Sequence, residues 1–209
     1  MTMRLPAATI RTQVVLPLRF DDGYATDARV YSFDGLIDDR EHLAFALGEP
    51  GGRGVPLIRP HSECLTGDVF GSQRCDCGPQ LREAVERIAD AGGYLLYLRQ
   101  EGRGIGLYSK LEAYALQDTG FDTYDANVAL GHGEDERSYV AAAQMLQALG
   151  VSEIALLSNN PDKARQLRLS GVTVARQVRT GVHVSTANVR YLETKARRGG
   201  HTLDLPLPA

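Results

Sequence analysis

"PQLREAVERIADAGGYLLYLR", Pro79 to Arg99, decides the fold class. Leu81, Val85 and Ile88 fall at helical spacing and predict an amphipathic helix with one apolar face. Gly92 and Gly93 suit the end of that helix, where a residue without a β-carbon closes the last turn. Tyr94 to Arg99 then reads as a buried strand. The alternation continues downstream. "GLYSKLEAYALQDTG" predicts a helix with Leu107, Leu111 and Tyr114 along one face, and "RSYVAAAQMLQALG" predicts another. "EIALLS" reads as a strand, "NNPDKARQLRLSG" as a helix with Pro161 in its first turn, "VTVARQV" as a strand and "TANVRYLETKARRGG" as a closing helix. Such alternation implies an α/β sheet that is at least partly parallel.

Upstream the texture differs. "TQVVLPLRF", "DARVYSF", "LAFALGE" and "VPLIR" are short β-like runs separated by turn-rich pieces such as "DDG" and "EPGGRG". They predict an antiparallel β region leading into a mixed sheet, an α/β class with an α+β tendency. The expected organisation is one domain over residues 1–209. In it, residues 1–55 are β-rich, 56–200 carry the functional site and 201–209 form a loosely held tail.

The 209 residues, 43% of them hydrophobic and 23% charged, suffice for a well-buried core. A formal net charge of −3 argues against a dedicated nucleic-acid binder but leaves room for a local basic pocket. The opening "MTMRLPAATIRTQVVLPLRF" is interrupted by Arg4, Pro6, Arg11, Thr12 and Pro17 before an apolar segment forms. Neither a signal peptide nor a membrane span is therefore expected, and a cytoplasmic location is the default.

All three cysteines, Cys64, Cys75 and Cys77, lie within "SECLTGDVFGSQRCDCGPQ". In a reducing compartment, clustered thiols read as metal ligands or catalytic groups before disulfides. Three thiolates with a histidine such as His61 would close a structural zinc site. Three thiolates alone would leave a fourth place for water, as catalytic zinc requires. The C-x10-C-x-C spacing by itself does not choose between them.

Five stretches align together: "RPHSECLTGDVFGSQRCDCGPQL", "LRQEGRGIGL", "AYALQDTGFDTYDAN", "GHGEDERSY" and "LLSNNPDK". In order and spacing they resemble GTP cyclohydrolase II, the entry enzyme of riboflavin biosynthesis. The likeness covers roughly residues 56–170, with a weaker echo in "ANVRYLETKARRGGH". It implies a hydrolase dependent on Zn2+ and Mg2+ that works as a homodimer on GTP. Such an enzyme opens the imidazole ring at C8, releases that carbon as formate, and also releases pyrophosphate. The product is 2,5-diamino-6-(5-phosphoribosylamino)pyrimidin-4(3H)-one. No segment resembles the dihydroxybutanone-phosphate synthase domain to which this family is sometimes fused, so a stand-alone form is expected.

The resemblance also implies roles. Cys64, Cys75 and Cys77 would hold the zinc, leaving one place for the attacking water. Tyr114 would hydrogen-bond that water or shuttle a proton. Asp135 would accept a proton, and Arg137 would attack the α-phosphate or stabilise triphosphate charge. Substrate contacts would come from Arg59, Pro60, His61, Ser62, Glu63, Gln80, Glu101, Gly102, Arg103, Thr123, Ser158 and Lys163. Arg59 and Lys163 would face phosphate oxygens, and Gln80 a base edge.

Each has a plainer reading. Tyr114 fits an apolar helix face, Asp135 a helix N-cap before "RSYVAAAQ", and "RQEGRGIGL" a simple strand-to-helix turn. Arg59 and Lys163 fit solvated surface charges, and Gln80 an exposed helix position. Pro60, Ser158, Asp162 and the stretch "RQVRTGVHVSTANVRY" depart from the family pattern. Two alternatives to the full reaction follow. One is a variant that stops at a formylamino product or serves a specialised pathway. The other is a zinc-stabilised binding module without turnover.

Overall fold

Seven strands form the frame. A computed structural model describes residues 5–52 and 54–198. The chain divides into two compact units: residues 1–61, 81–99 and 139–180 form the first, and 62–80, 100–138 and the chain from 181 onward form the second. The C-terminal tail expected over 201–209 lies outside the described residues.

The first unit is built on a mixed sheet in the order β1-β2-β3-β5-β4-β6-β7. The strands are β1 (Thr9–Arg19), β2 (Ala25–Asp34), β3 (Leu43–Leu47), β4 (Leu57–Ser62), β5 (Gly93–Leu98), β6 (Glu153–Leu157) and β7 (Thr173–Val178). The pairs β1–β2, β2–β3 and β3–β5 are antiparallel, as the N-terminal runs predicted. The pair β6–β7 is parallel, as the downstream alternation predicted, and β4, the run "VPLIR" expected in the antiparallel region, instead pairs parallel with β6.

Side-chain alternation sorts the core into two layers. Tyr94, Leu96, Leu98, Ile154 and Leu156 face α5 (Val140–Ala148) and α6 (Pro161–Leu169). Leu95, Ala155 and Leu157 face Ala84, Val85 and Ile88 of α2 (Cys77–Ala91), the helix read from the opening stretch. Helix α5 buries Ala141, Ala142 and Ala143 entirely or nearly so; its small side chains let the backbone approach the strands closely. Within α5, the fully buried Gln144 accepts from the Ile37 amide at 2.9 Å and donates to the Pro6 carbonyl at 2.8 Å. Pro161 opens α6 behind an Asn160 cap that accepts from the Asp162 amide.

The second unit is helical and turn-rich. It holds α1 (Leu65–Asp68), the start of α2, a 3-10 turn (Glu101–Gly104), α3 (Leu107–Asp118), α4 (Thr123–Ala129) and α7 (Val189–Arg198). Two details differ from the sequence reading. Helix α3 buries Lys110 and Ala113, while Leu111, expected on its apolar face, is exposed. An ion pair at Lys110, described below, sets the inward face in place of the leucine. Helix α4 emerges from a stretch read only as a motif: Asp122 caps it, accepting from the amides of Tyr124 and Asp125 at 2.8 and 2.9 Å. Among the described residues, no helix is long and apolar enough to cross a membrane.

The sheet contains one close approach that only glycine permits. Gly93 pairs with Leu47 of β3, and a β-carbon at Gly93 would lie 1.9 Å from the Leu57 carbonyl oxygen. Gly93→Ala must push β4 and β5 apart. It is expected to cost about 3 kcal/mol, the upper range for overpacking, measured as a fall in the urea midpoint. An unchanged midpoint would contradict this packing.

Candidate active site

Three sulfurs meet in the second unit. Cys64 precedes α1, Cys75 lies in the loop after it, and Cys77 opens α2. Their Sγ atoms all lie within 4.8 Å of one another, with Cys64 and Cys75 at 3.7 Å. Gly67 makes the approach possible: a β-carbon there would sit 2.8 Å from Cys75 Sγ and 3.0 Å from Cys64 Sγ. Asp68 Oδ2 accepts from the Cys64 amide at 3.0 Å and fixes the turn that presents the first sulfur.

The electrostatics of the cluster are those of a shared charge. Hydrogen bonds from Cys75 and Cys77, aided by Lys110, hold the Cys64 thiol far below its ordinary range despite burial. The same sharing with Cys64 pushes Cys75 up to about 11 and Cys77 well above the usual thiol value. Soft, converging sulfur donors that already stabilise a thiolate fit a thiophilic cation such as zinc.

One cavity lies against these sulfurs, and all its lining residues belong to the second unit. It gathers most of the residues named from the sequence. Ser62 and Glu63 join Cys64, Cys75 and Cys77 on one side. Glu101, Gly102 and Arg103 contribute the glycine-rich turn, and Tyr114, Thr123 and Arg137 complete the set. Gly102 and Arg103 both adopt left-handed backbone, with φ of 62° and 61°. For arginine this conformation is strained, and it aims the guanidinium out of the turn. The Arg103 guanidinium lies 4.1 Å from the Tyr124 ring centre, and its buried Nη1 has no hydrogen-bond partner among the described residues.

Asp135 is not the helix cap of the plainer reading. Helix α5 begins at Val140 with Tyr139 at its cap, and Asp135 instead grips Arg137. Its Oδ1 accepts from Arg137 Nε at 2.8 Å and its Oδ2 pairs with Nη2. Burial opposes the Asp135 charge, but the Arg137 hydrogen bonds and the Arg137 and Arg103 charges hold it below the usual carboxylate range. The Tyr114 phenol is pushed up to about 12, by burial first and by the Cys75 and Cys64 charges, with Lys110 opposing. It is therefore a protonated donor at neutral pH.

The remaining named residues lie elsewhere. Gln80 is buried and donates to Asp76 Oδ2 at 2.6 Å; it does not line the cavity. Arg59, Pro60, His61, Ser158 and Lys163 belong to the first unit. There Lys163 Nζ donates to the Pro60 carbonyl at 2.7 Å, Arg59 Nη1 to the Leu157 carbonyl at 3.1 Å, and His61 stacks on Tyr97. Arg59 and Lys163 are both about 5% exposed, which excludes the surface-charge reading.

Two ionisable cavity residues escaped the sequence reading. Lys110 Nζ donates to Cys64 Sγ at 3.2 Å, to Thr66 Oγ1 at 3.0 Å and to Glu101 Oε1 at 2.8 Å. Burial works against its ammonium, but the Cys64 and Glu101 charges outweigh it and hold the lysine above its ordinary range. Glu101 in turn accepts from the Leu65 amide at 2.6 Å, so one ion pair ties the first thiol segment to the glycine-rich turn. The available signal was a lysine four residues before Tyr114 on a predicted apolar face. The other missed residue is Tyr191 of α7, in a stretch that fits the family pattern poorly.

Known proteins share this arrangement of sequence. A family model described as GTP cyclohydrolase II matches residues 13–179. A GTP cyclohydrolase-2 of Vibrio cholerae is 52% identical over 86% of this chain and 91% of its own length. One from Psychromonas ingrahamii is 46% identical over 94% of this chain and 98% of its own. The riboflavin biosynthesis protein RibBA of Bacillus velezensis is 51% identical over 84% of this chain, which spans 44% of that longer protein. With the match running through the thiol segment, the glycine-rich turn and the Asp135–Arg137 loop alike, the chain belongs to the GTP cyclohydrolase II family of hydrolases.

Proposed function

We propose that this chain hydrolyses GTP, opening the imidazole ring at C8 and releasing formate and pyrophosphate to leave the diaminopyrimidine product. The observation that carries the reading is three converging thiols on the same cavity as Arg103, whose buried Nη1 makes no hydrogen bond among the described residues. Cys64, Cys75 and Cys77 would hold a zinc ion. Held there, such an ion would supply Lewis acidity toward water and a carbonyl oxygen. Three thiolates blunt that acidity, because they lower the net charge of the site. Lys110 compensates: its ammonium draws on the Cys64 sulfur and returns positive charge beside it.

The chain's other residues divide the work. Arg103, whose Nη1 makes no hydrogen bond among the described residues and lies 4.0 Å from Asp135 Oδ2, offers that nitrogen to a phosphate oxygen as a charge-assisted bond. Arg137, kept charged by its bidentate carboxylate partner, stabilises the α-phosphate. In a covalent version an Arg137 nitrogen attacks that phosphorus as its bond to the pyrophosphate oxygen breaks, Asp135 takes the arginine's proton, and water then cleaves the P–N bond to free the product. Tyr114 donates its phenolic proton toward the oxygen that develops on the former C8 carbon, which supports complete deformylation.

By the same kinship we place the reaction in riboflavin biosynthesis, in the cytoplasm, with Mg2+ accompanying the triphosphate. A homodimer is supported by the edge strand β1, which leaves Val14, Val15 and Leu16 exposed.

Incubation of the purified chain with GTP, Mg2+ and zinc is expected to yield formate and pyrophosphate in equal amounts. Pyrophosphate without formate would overturn the deformylation step, and neither product would overturn the function. Gly67→Ala is expected to force the sulfurs apart, so that zinc measured by atomic absorption falls from one per chain to near zero while far-ultraviolet dichroism is kept. Lys110→Met is expected to weaken zinc binding about ten- to a hundred-fold in chelator competition. Unchanged affinity would remove Lys110 from the metal's surroundings.

A further inference from the structure

Helix α7 lies beyond the stretch that the family model matches, yet it reaches the reaction cavity. Tyr191 in its first turn lines the same cavity as the three thiols and Arg103. With Gln117 and Thr123 it also lines a second cavity, bounded by Arg74, Asp118 and Asp122. Tyr191 is thus common to the two. The helix is held from both ends. Asn188 and Ser185 cap its start, each accepting from the other's backbone amide at 2.8 and 3.3 Å, and Leu192 is fully buried. Near its end, Arg198 Nη1 donates to Asp125 Oδ1 at 2.5 Å and Asp122 Oδ2 at 3.0 Å, while Nη2 donates to Glu134 Oε1 at 2.6 Å.

This clamp connects to the site. Asp122 and Asp125 flank the start of α4, whose Tyr124 ring receives the Arg198 guanidinium at 5.0 Å and that of Arg103 at 4.1 Å. A helix that served solubility alone has no need of three carboxylates around one arginine, since exposed ion pairs contribute little each. A shared cationic grip that fixes one side chain against a cavity does have such a need.

We propose that Tyr191 is a further substrate-positioning residue, its ring walling the reaction cavity and its phenol donating to the nucleotide bound there, with Arg198 holding α7 in place. This rests on the reading that GTP occupies the thiol cavity. The test is calorimetric binding of a non-hydrolysable α,β-methylene GTP analogue to the zinc-loaded chain and to Tyr191→Phe and Arg198→Gln variants. Tyr191→Phe keeps the wall and loses the donor. It is expected to weaken binding about ten-fold and to raise KM similarly, with kcat and zinc content little changed. Arg198→Gln is expected to weaken binding as well and to speed proteolytic cleavage between residues 181 and 198. Tight binding by both variants overturns the proposal while leaving the functional reading intact. Failure of the unsubstituted chain to bind the analogue overturns both. Faster cleavage in Arg198→Gln with undiminished binding overturns the role given to α7.

Discussion

Three sulfur atoms crowded around a residue with no side chain set the terms for the second unit. Thiolates repel one another, and burial raises the free energy of each. The cluster is tolerable because Gly67 yields the space, the sulfurs share protons, and Lys110 places a positive charge against Cys64. Lys110 must itself be buried, so it needs Glu101. Glu101 must be oriented, so it takes the Leu65 amide beside the first cysteine. The loop of dependence closes on itself, which explains why polar groups rather than leucines face inward on α3.

Such closed polar networks are where sequence reading loses its grip. The helix over Leu81, Val85 and Ile88 was legible because apolar spacing alone decides which face turns inward. The sheet was legible for the same reason, its short runs alternating between two core layers. The thiols were legible because all three sit in one short stretch. Lys110 was not, since a lysine on a helix reads as solvated until its partners, distant in sequence, are known. Leu111 was misread as core in consequence. Asp135 offered cap chemistry at a plausible position, but a neighbouring arginine outcompeted the helix for its oxygens. Tyr191 carries no local mark at all; only the tertiary path of α7 brings it to the cavity.

Backbone strain falls where charge must be aimed. Arg103 is one of two non-glycine residues at positive φ among those described. The strain has a holder: the Arg103 carbonyl accepts from the Glu136 amide at 2.9 Å. The adjoining loop carries Asp135 and Arg137. This backbone hydrogen bond and the approach of Arg103 Nη1 to Asp135 Oδ2 at 4.0 Å couple the arginine to the carboxylate–guanidinium pair, so that the two cationic groups are set together rather than independently.

The second unit is assembled from three separated lengths of chain, and its last contributor, α7, comes near the end of the described sequence. Protein synthesis proceeds from one terminus. The cysteine-bearing turns are therefore made before the arginine that clamps α7. A nascent chain therefore carries three thiols before the wall beside them exists. Metal capture or reducing conditions during synthesis, rather than the finished architecture, must guard those thiols until the closing helix arrives.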